Sequence, residues 1–189
     1  GFRLSNKVKF FFKKLFPSIL SSGVTQINIL VGTIIASFQS SAVSYLYYAD
    51  RIYQINLAIA GIAVGTVSLP VLSKAFKMKN VKKISNIQNK SFELSLLFSI
   101  PASFGLILAS NEIVNALFGY GSFSINDVKM TATALKFFGY GVPAFALIKI
   151  LSNFFFARDN TKTPFYISLF MVFINILISV SFFNKIGFI

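Results

Sequence analysis

The chain has 189 residues, of which 55% are hydrophobic, and its mean hydropathy is +0.73. Ordinary soluble domains contain about 45–50% apolar residues even with glycine included, so this composition indicates an integral membrane protein. Cysteine and histidine are both absent, which excludes a disulfide framework, thiolate or imidazole metal sites, and catalysis by histidine.

The formal net charge of +13 would suggest nucleic-acid binding in a soluble protein. Here the basic residues lie in clusters between apolar segments, a pattern typical of the cytoplasmic loops of membrane proteins. We therefore expect membrane lipids as partners and no nucleic acid.

Five apolar segments predict an all-α, polytopic membrane helix bundle with about five transmembrane helices in a single membrane domain, residues 1–189. The predicted spans are residues 15–38, 44–72, 91–109, 130–156 and 165–183. The predicted cytoplasmic loops are residues 73–90 and 157–164. Residues 111–118 are too short to cross a membrane and predict a small interfacial helix or a re-entrant turn.

The first two predicted spans carry polar or small residues at alternating three- and four-residue steps, which places each set on one helical face. The faces are Ser18, Ser21, Thr25, Asn28 and Gly32 in the first span, and Arg51, Gln54, Ala58, Gly61, Gly65 and Ser68 in the second. Matching polar faces favour a shared interior. Close packing at Gly61-x-x-x-Gly65 is the alternative, and both can hold on different parts of the helix.

Arg51 opens the second span beside Asp50, and the span ends near Pro70. An arginine at mid-bilayer costs about 2.5–3.5 kcal/mol on the insertion scale, so its presence needs a reason. A polar cavity with Arg51 at its mouth would supply one, and Arg51 and Gln54 would then face water. Lys149 lies inside the fourth span about two turns from Arg158, and we expect it to snorkel to that interface.

The distribution of basic residues predicts the orientation. The N-terminal segment and the loops at 73–90 and 157–164 hold 13 of the 18 lysines and arginines. The opposite side holds Arg51, Lys129, Lys136 and Lys185. The excess of positive charge predicts that Gly1 is cytoplasmic and Ile189 external, with Arg51 at the external end of its helix.

Catalysis is not expected. No two of the five acidic residues share a helical face at a spacing suited to acid–base chemistry. Glycine-rich phosphate loops are absent from the sequence, and we expect neither a cofactor nor a metal. Polar faces inside a set of membrane spans indicate transport.

Several motifs occur in an order and spacing that resemble the MurJ (MviN) family of bacterial lipid II flippases, within the MATE-like multidrug/oligosaccharidyl-lipid/polysaccharide superfamily. The resemblance covers essentially the whole chain. Its motifs are Thr25 to Asn28, Ile34 to Phe38, Tyr47 to Arg51, Ile62 to Thr66, Leu69 to Lys74, Leu117 to Phe123, Phe155 to Asp159 and Thr161 to Pro164. The Asp50-Arg51 pair and the segment Arg158-Asp159 to Pro164 weigh most.

The resemblance implies a transporter of fourteen spans in two lobes, of which this chain resembles spans seven to eleven, so an N-terminal lobe is missing from it. It also implies a bacterial cytoplasmic-membrane location and alternating access to a cavity whose arginines bind the anionic headgroup of lipid II. Arg51 matches the family's arginine in the eighth span. Many relatives carry Asp or Asn at the position of Gly32, and the family's cation site is in doubt here because Asn175 alone could not replace that ligand.

Other interpretations remain open. A related polysaccharide-lipid flippase or a MATE-type drug exporter would show the same span pattern, and a membrane scaffold fragment would lack transport. We expect headgroup contacts from Arg51, Gln54, Asn28, Thr25 and Ser21. Structural roles are expected for Asp50, Gly61, Gly65, Pro70, Arg158, Asp159 and Pro164.

Overall fold

The structure is a computed structural model that describes residues 29–39 and 41–186, together with Val8, Gly23, Gln26 and Ile27, the side chains of residues 180 and 182–186 excepted. Every regular element within these residues is a helix. Within this described part of the chain, four helical segments are long and apolar enough to cross a membrane, namely Ala42–Lys77, Val81–Leu108, Ile125–Ala157 and Lys162–Ser179. The all-α, polytopic fold expected from the sequence is therefore confirmed.

The first predicted span, residues 15–38, lies largely outside the described residues. Its last part, residues 29–37, is helical and forms α1. The second predicted span is part of one continuous segment built from helix α2 (Ala42–Leu57), a π-helical turn (Ala58–Ala63) and helix α3 (Val64–Lys77).

The remaining helices are α4 (Val81–Leu108), α5 (Ser110–Phe118), α6 (Ile125–Ala157) and α7 (Lys162–Ile186). Helix α5 is the short helix expected between the third and fourth spans. Helix α7 covers the predicted fifth span and extends beyond it at both ends.

The link between α3 and α4 is much shorter than the predicted loop of residues 73–90, because both neighbouring helices extend into it. Helix α3 runs to Lys77, and α4 begins at Val81. The side chain of Asn80 accepts a hydrogen bond from the Lys83 amide at 2.9 Å, which caps the new helix start. Lysines are good helix formers, so the lysines of this region are compatible with both helices.

The chain divides into two compact units, one formed by Ser41–Arg158 and the other by Gly1–Ser40 with Asp159–Ile189. The single membrane domain inferred from the sequence stays a prediction. In the second of these units, the Asn160 side chain bonds to the Thr163 hydroxyl at 2.9 Å and to its amide at 3.2 Å, which fixes the start of α7.

Helix α6 is the centre of the unit Ser41–Arg158. Near the starts of α2 and α6 the hydroxyl of Tyr45 donates to Asp127 at 2.8 Å, and near their far ends the amide of Asn153 rests on Gly65. The segment α2–α3 therefore runs parallel to α6. Helix α4 is antiparallel to α6, because Ser103 meets Gly139 while the ring of Phe92 lies 5.3 Å from that of Phe154.

A proline inside α6 is compensated by a neighbouring helix. Pro143 has no N–H, so the carbonyl of Gly139 loses its helical donor. The hydroxyl of Ser103 on α4 donates to that carbonyl at 2.7 Å. Such compensation is what the apolar interior of a membrane requires, because a free carbonyl has no water to bind there.

Candidate functional site

Arg51 lies on the exposed side of α2, and a neighbour one turn earlier holds its side chain. The Nη2 atom donates to the Tyr47 hydroxyl at 2.7 Å, and the guanidinium carbon lies 4.6 Å from the centre of the Tyr47 ring. The contact combines a hydrogen bond with a cation–π interaction. A guanidinium has five N–H donors, so this arrangement orients the group and leaves most of its donors for a ligand.

Asp50 takes a different partner from the adjacent arginine. The side-chain amide of Gln54 donates to the Asp50 carboxylate, again across one helical turn. Neighbouring helical residues point about 100° apart, which explains why the carboxylate pairs with Gln54 in preference to Arg51. Arg51 and Gln54 are both exposed, as the interpretation of a solvated polar face requires.

The polar face predicted on the second span is divided in two by the π-helical turn. Arg51, Gln54 and Ala58 are exposed, whereas the three later members of the set are buried. A π turn accommodates one residue more than an α turn, so it rotates everything after it by about 100° relative to a continuous α-helix. The buried members are Gly61, Gly65 and Ser68.

Gly61 and Gly65 form the close contact with α6. A methyl group at position 61 would lie 3.2 Å from the Cα of Ala146 and 3.5 Å from the Cβ of Lys149. At position 65 the amide nitrogen of Asn153 occupies the space that a Cβ would need. The two glycines therefore bring the backbones of the two segments close together, the role that small residues have in membrane helix contacts.

An aromatic and polar layer secures the end of the unit that carries Arg51. The ring of Tyr48 lies 4.9 Å from that of Phe118 and 5.4 Å from that of Phe123. Asp127 accepts from both the amide and the hydroxyl of Ser124, at 2.8 and 2.7 Å, in the capping box that starts α6. Sequence reasoning missed this layer, although Ser124-x-x-Asp127 is a recognisable helix-start signal.

Buried hydroxyl groups occupy the interior of the same unit. Helix α4 buries a serine at every fourth position from Ser91 to Ser103. Among the described residues, the hydroxyls of Ser95, Ser99, Thr131 and Tyr53 are buried without a hydrogen-bond partner. The interior of this helical unit is thus more polar than its apolar composition suggests.

The other predicted residues take separate positions. Ser21, Thr25 and Asn28 lie outside the described residues. Pro70 is exposed within α3, and Pro164 is buried at the start of α7. Arg158 ends α6 with its guanidinium carbon 4.7 Å from the centre of the Phe76 ring.

Asp159 has a positive φ of 58°, a turn conformation that Asp tolerates better than most residues. Gly32 on α1 is exposed, with open space where a side chain would project. Within the part of the chain that the structure describes, no three acidic side chains come together as a metal site would require.

These observations define a class, a polytopic helical membrane protein with an exposed arginine, held by Tyr47, on a helix long and apolar enough to span a membrane. The family model described as "Lipid II flippase MurJ" matches residues 2–189. The chain belongs to this MurJ family.

Individual relatives and a solved structure point to the same family. A probable lipid II flippase MurJ of Rickettsia prowazekii (strain Madrid E) is 43% identical over 159 residues, which are 84% of this chain and 31% of the relative. That of Rhizobium tropici is 40% identical over 178 residues, 94% of this chain and 33% of the relative. A solved structure of lipid II flippase MurJ in an inward closed conformation matches with a TM-score of 0.82 at 30% identity, covering 99% of this chain and 40% of that one. The chain spans about a third of the length of these curated relatives.

Proposed function

We propose that this chain is part of a carrier that moves lipid II, the lipid-linked peptidoglycan precursor, across the bacterial cytoplasmic membrane by alternating access. The observation that carries the proposal is the exposed, Tyr47-oriented guanidinium of Arg51 in a member of this family. A guanidinium binds phosphate oxygens through two parallel hydrogen bonds and stays charged at every relevant pH. Arg51 would contact the anionic headgroup while the prenyl tail remains in lipid.

The role is one of binding and movement rather than catalysis. Gln54 lies one turn from Asp50, and their hydrogen bond leaves the carbonyl oxygen of the amide for a headgroup hydroxyl or amide. The relatives are about three times as long as this chain, so translocation would require the remaining helices to complete the binding surface. Ser21, Thr25 and Asn28 are further proposed contacts.

The test uses the full-length protein in cells whose native flippase is depleted. Arg51→Ala and Arg51→Lys should reach the membrane at normal levels and fail to restore growth, because lysine cannot supply the bidentate contact. Loss of two charge-assisted hydrogen bonds, at ~1.5–3 kcal/mol each, is enough to cripple binding. Lys129→Ala is the matched control, an exposed cation at the start of α6. Growth of the Arg51→Ala strain at wild-type abundance would overturn the contact.

The same complementation separates the alternatives. A polysaccharide-lipid flippase or a drug exporter would not restore growth even with Arg51 intact, and a scaffold without transport would not either. Restoration by the wild-type protein together with failure of both Arg51 variants supports the lipid II carrier.

The proposed orientation places the start of this chain in the cytoplasm and the end of α2 that carries Arg51 outside. The chain has no cysteine, so single cysteines give a clean readout. Cysteine at Asn80 or Asn160 should be protected from an impermeant thiol reagent in intact cells, and cysteine at Ser122 should react. Labelling at Asn80 from outside would reverse the orientation.

A further inference from the structure

Lys149 is an exposed cation within the membrane-spanning length of α6. Its stem lies beside Gly61, whose missing side chain would stand 3.5 Å from the Cβ of Lys149. One turn further along α6, the amide of Asn153 rests on Gly65. The two glycines therefore let this segment approach α6 closely at the level of Lys149 and Asn153, which follow each other by one helical turn.

The parallel helix gives the depth of Lys149 in the membrane. From Arg51 to Lys74 the segment α2–α3 rises about 34 Å, close to the ~30 Å thickness of a hydrocarbon core. Gly61, which is level with Lys149, lies about 15 Å from Arg51 and about 20 Å from Lys74 along that segment. With Arg51 and Lys74 taken as the two ends of the hydrocarbon core, Lys149 lies near its middle.

This depth argues against the expectation that Lys149 snorkels to the interface. A lysine stem reaches roughly 6 Å, less than half of either distance. Among the described residues Lys149 has no hydrogen-bond or ion-pair partner. Unpaired charges at such depth are costly and occur where they face water or a polar ligand.

We propose that Lys149 and the Asn153 amide form a second, mid-membrane contact for the diphosphate of the lipid-linked substrate. The inference rests on the proposed function and extends it. Lysine supplies a mobile point charge and asparagine an N–H donor, which together suit a diphosphate oxygen cluster. Because Arg51 lies about 15 Å away in depth, the two cations act at successive positions of the headgroup and not on one phosphate.

The test measures binding of lipid II to the purified full-length protein in nanodiscs of neutral lipid. Lys149→Met keeps the apolar stem and removes the charge, and it should weaken binding about tenfold, the loss expected for one charge-assisted contact. Lys149→Arg should stay within about threefold of wild type, because the charge remains. Lys136→Met, an exposed lysine on the same helix, is the control and should bind as wild type. Wild-type affinity in Lys149→Met overturns the inference.

The outcomes also separate this inference from the proposed function. If the wild-type protein binds no lipid II, the proposed function fails. If it binds and Lys149→Met binds equally well, only the mid-membrane contact fails. Repeating the measurement with phosphatidylglycerol distinguishes a general anionic-lipid site, because an equal loss for both lipids would contradict a contact specific to the diphosphate.

A second measurement does not depend on substrate. A cysteine at position 149 should react with a small hydrophilic thiol reagent, because the position faces water or a polar ligand. The reaction should slow when lipid II is added. A cysteine at Ile148, which is also exposed, is the control for lipid contact. Equal, slow labelling at both positions would show that Lys149 faces lipid.

Discussion

The two halves of the segment Ala42–Lys77 differ in which side chains they expose and which they bury. The first half, α2, exposes Arg51 and Gln54 and packs through Tyr53 and its neighbours. The second half, α3, buries Gly65 and Ser68 and exposes apolar side chains such as Val67. A single amphipathic helix would expose one face throughout. Both halves pack against α6, and the π-helical turn between them shifts the register by one residue, so that Arg51 and Gln54 remain exposed on α2 while Gly65 and Ser68 are buried on α3.

The first test of this difference between the halves is to delete one residue at the π-helical turn and to compare the result with a deletion in the regular helix. Deletion of Ile59 should convert the π turn to an α turn and leave both halves facing α6, because a π turn accommodates one residue more. The amount of folded full-length protein, measured by fluorescence size-exclusion chromatography, should stay near wild type.

The control is deletion of Val67, another exposed apolar residue, which lies in the regular helix. Each residue contributes about 100° of rotation, so this deletion turns either Gly65 or Ser68 away from α6 and should abolish the folded peak. Equal losses for the two deletions would show that the π turn is not what sets the two faces.

The next largest effect is expected at the packed half itself. Gly65→Leu places a side chain where the Asn153 amide lies, and overpacking of this kind costs about 1–3 kcal/mol of unfolding free energy. Thermal unfolding in detergent should show a lower midpoint for Gly65→Leu. Ala58→Leu, at an exposed position where the π-helical turn begins, should be neutral. A similar loss for Ala58→Leu would place the packed face elsewhere.

The sequence was sufficient for the features that depend on composition and spacing. Hydropathy predicts the four apolar helices found among the described residues and the short helix α5, and small-residue spacing predicts a close contact at Gly61 and Gly65 without naming its partner helix. The π turn could not be predicted, because Ala58–Ala63 has no residue that forbids an α-helix. A helical wheel with one constant period therefore places Arg51 and Gly65 on the same face, whereas the structure exposes Arg51 and buries Gly65.

Contacts between side chains of different helices could not be predicted from the sequence either. The hydrogen bond from Ser103 to Gly139 depends on the register of α4 against α6, which no local pattern encodes. The Tyr47 contact with Arg51 was accessible in principle, since the two residues stand one turn apart in the motif already singled out. The position of Lys149 level with Gly61 depends on the parallel alignment of α3 with α6, whereas spacing along the chain relates Lys149 only to Arg158.

A smaller effect is expected where α4 supports α6. Ser103→Ala removes the donor that binds the Gly139 carbonyl above Pro143, and interhelical hydrogen bonds in membranes average about 0.6 kcal/mol with a maximum near 1.7. The lost donor leaves a carbonyl unsatisfied, so we expect the upper part of that range. Ser152→Ala removes a hydroxyl that bonds only within its own helix and is the control. An unchanged unfolding midpoint for Ser103→Ala would mean that the carbonyl finds another donor.

The smallest effect on stability is expected in the exposed half, and it separates the two halves most sharply. Tyr47→Phe removes the hydroxyl that accepts from Arg51 and keeps the ring beneath the guanidinium. Exposed substitutions of this kind change the unfolding free energy by less than about 0.5 kcal/mol, so the midpoint should not move. Affinity for lipid II should fall a few-fold, because Arg51 loses its orientation and must be ordered when the headgroup binds. Tyr120→Phe, an exposed tyrosine at the turn after α5, is the matched control and should change neither quantity. If Tyr47→Phe lowered the unfolding midpoint as much as Gly65→Leu, the Tyr47–Arg51 contact would stabilise the fold as the Gly65 contact does, and the exposed face of α2 would not be reserved for a ligand.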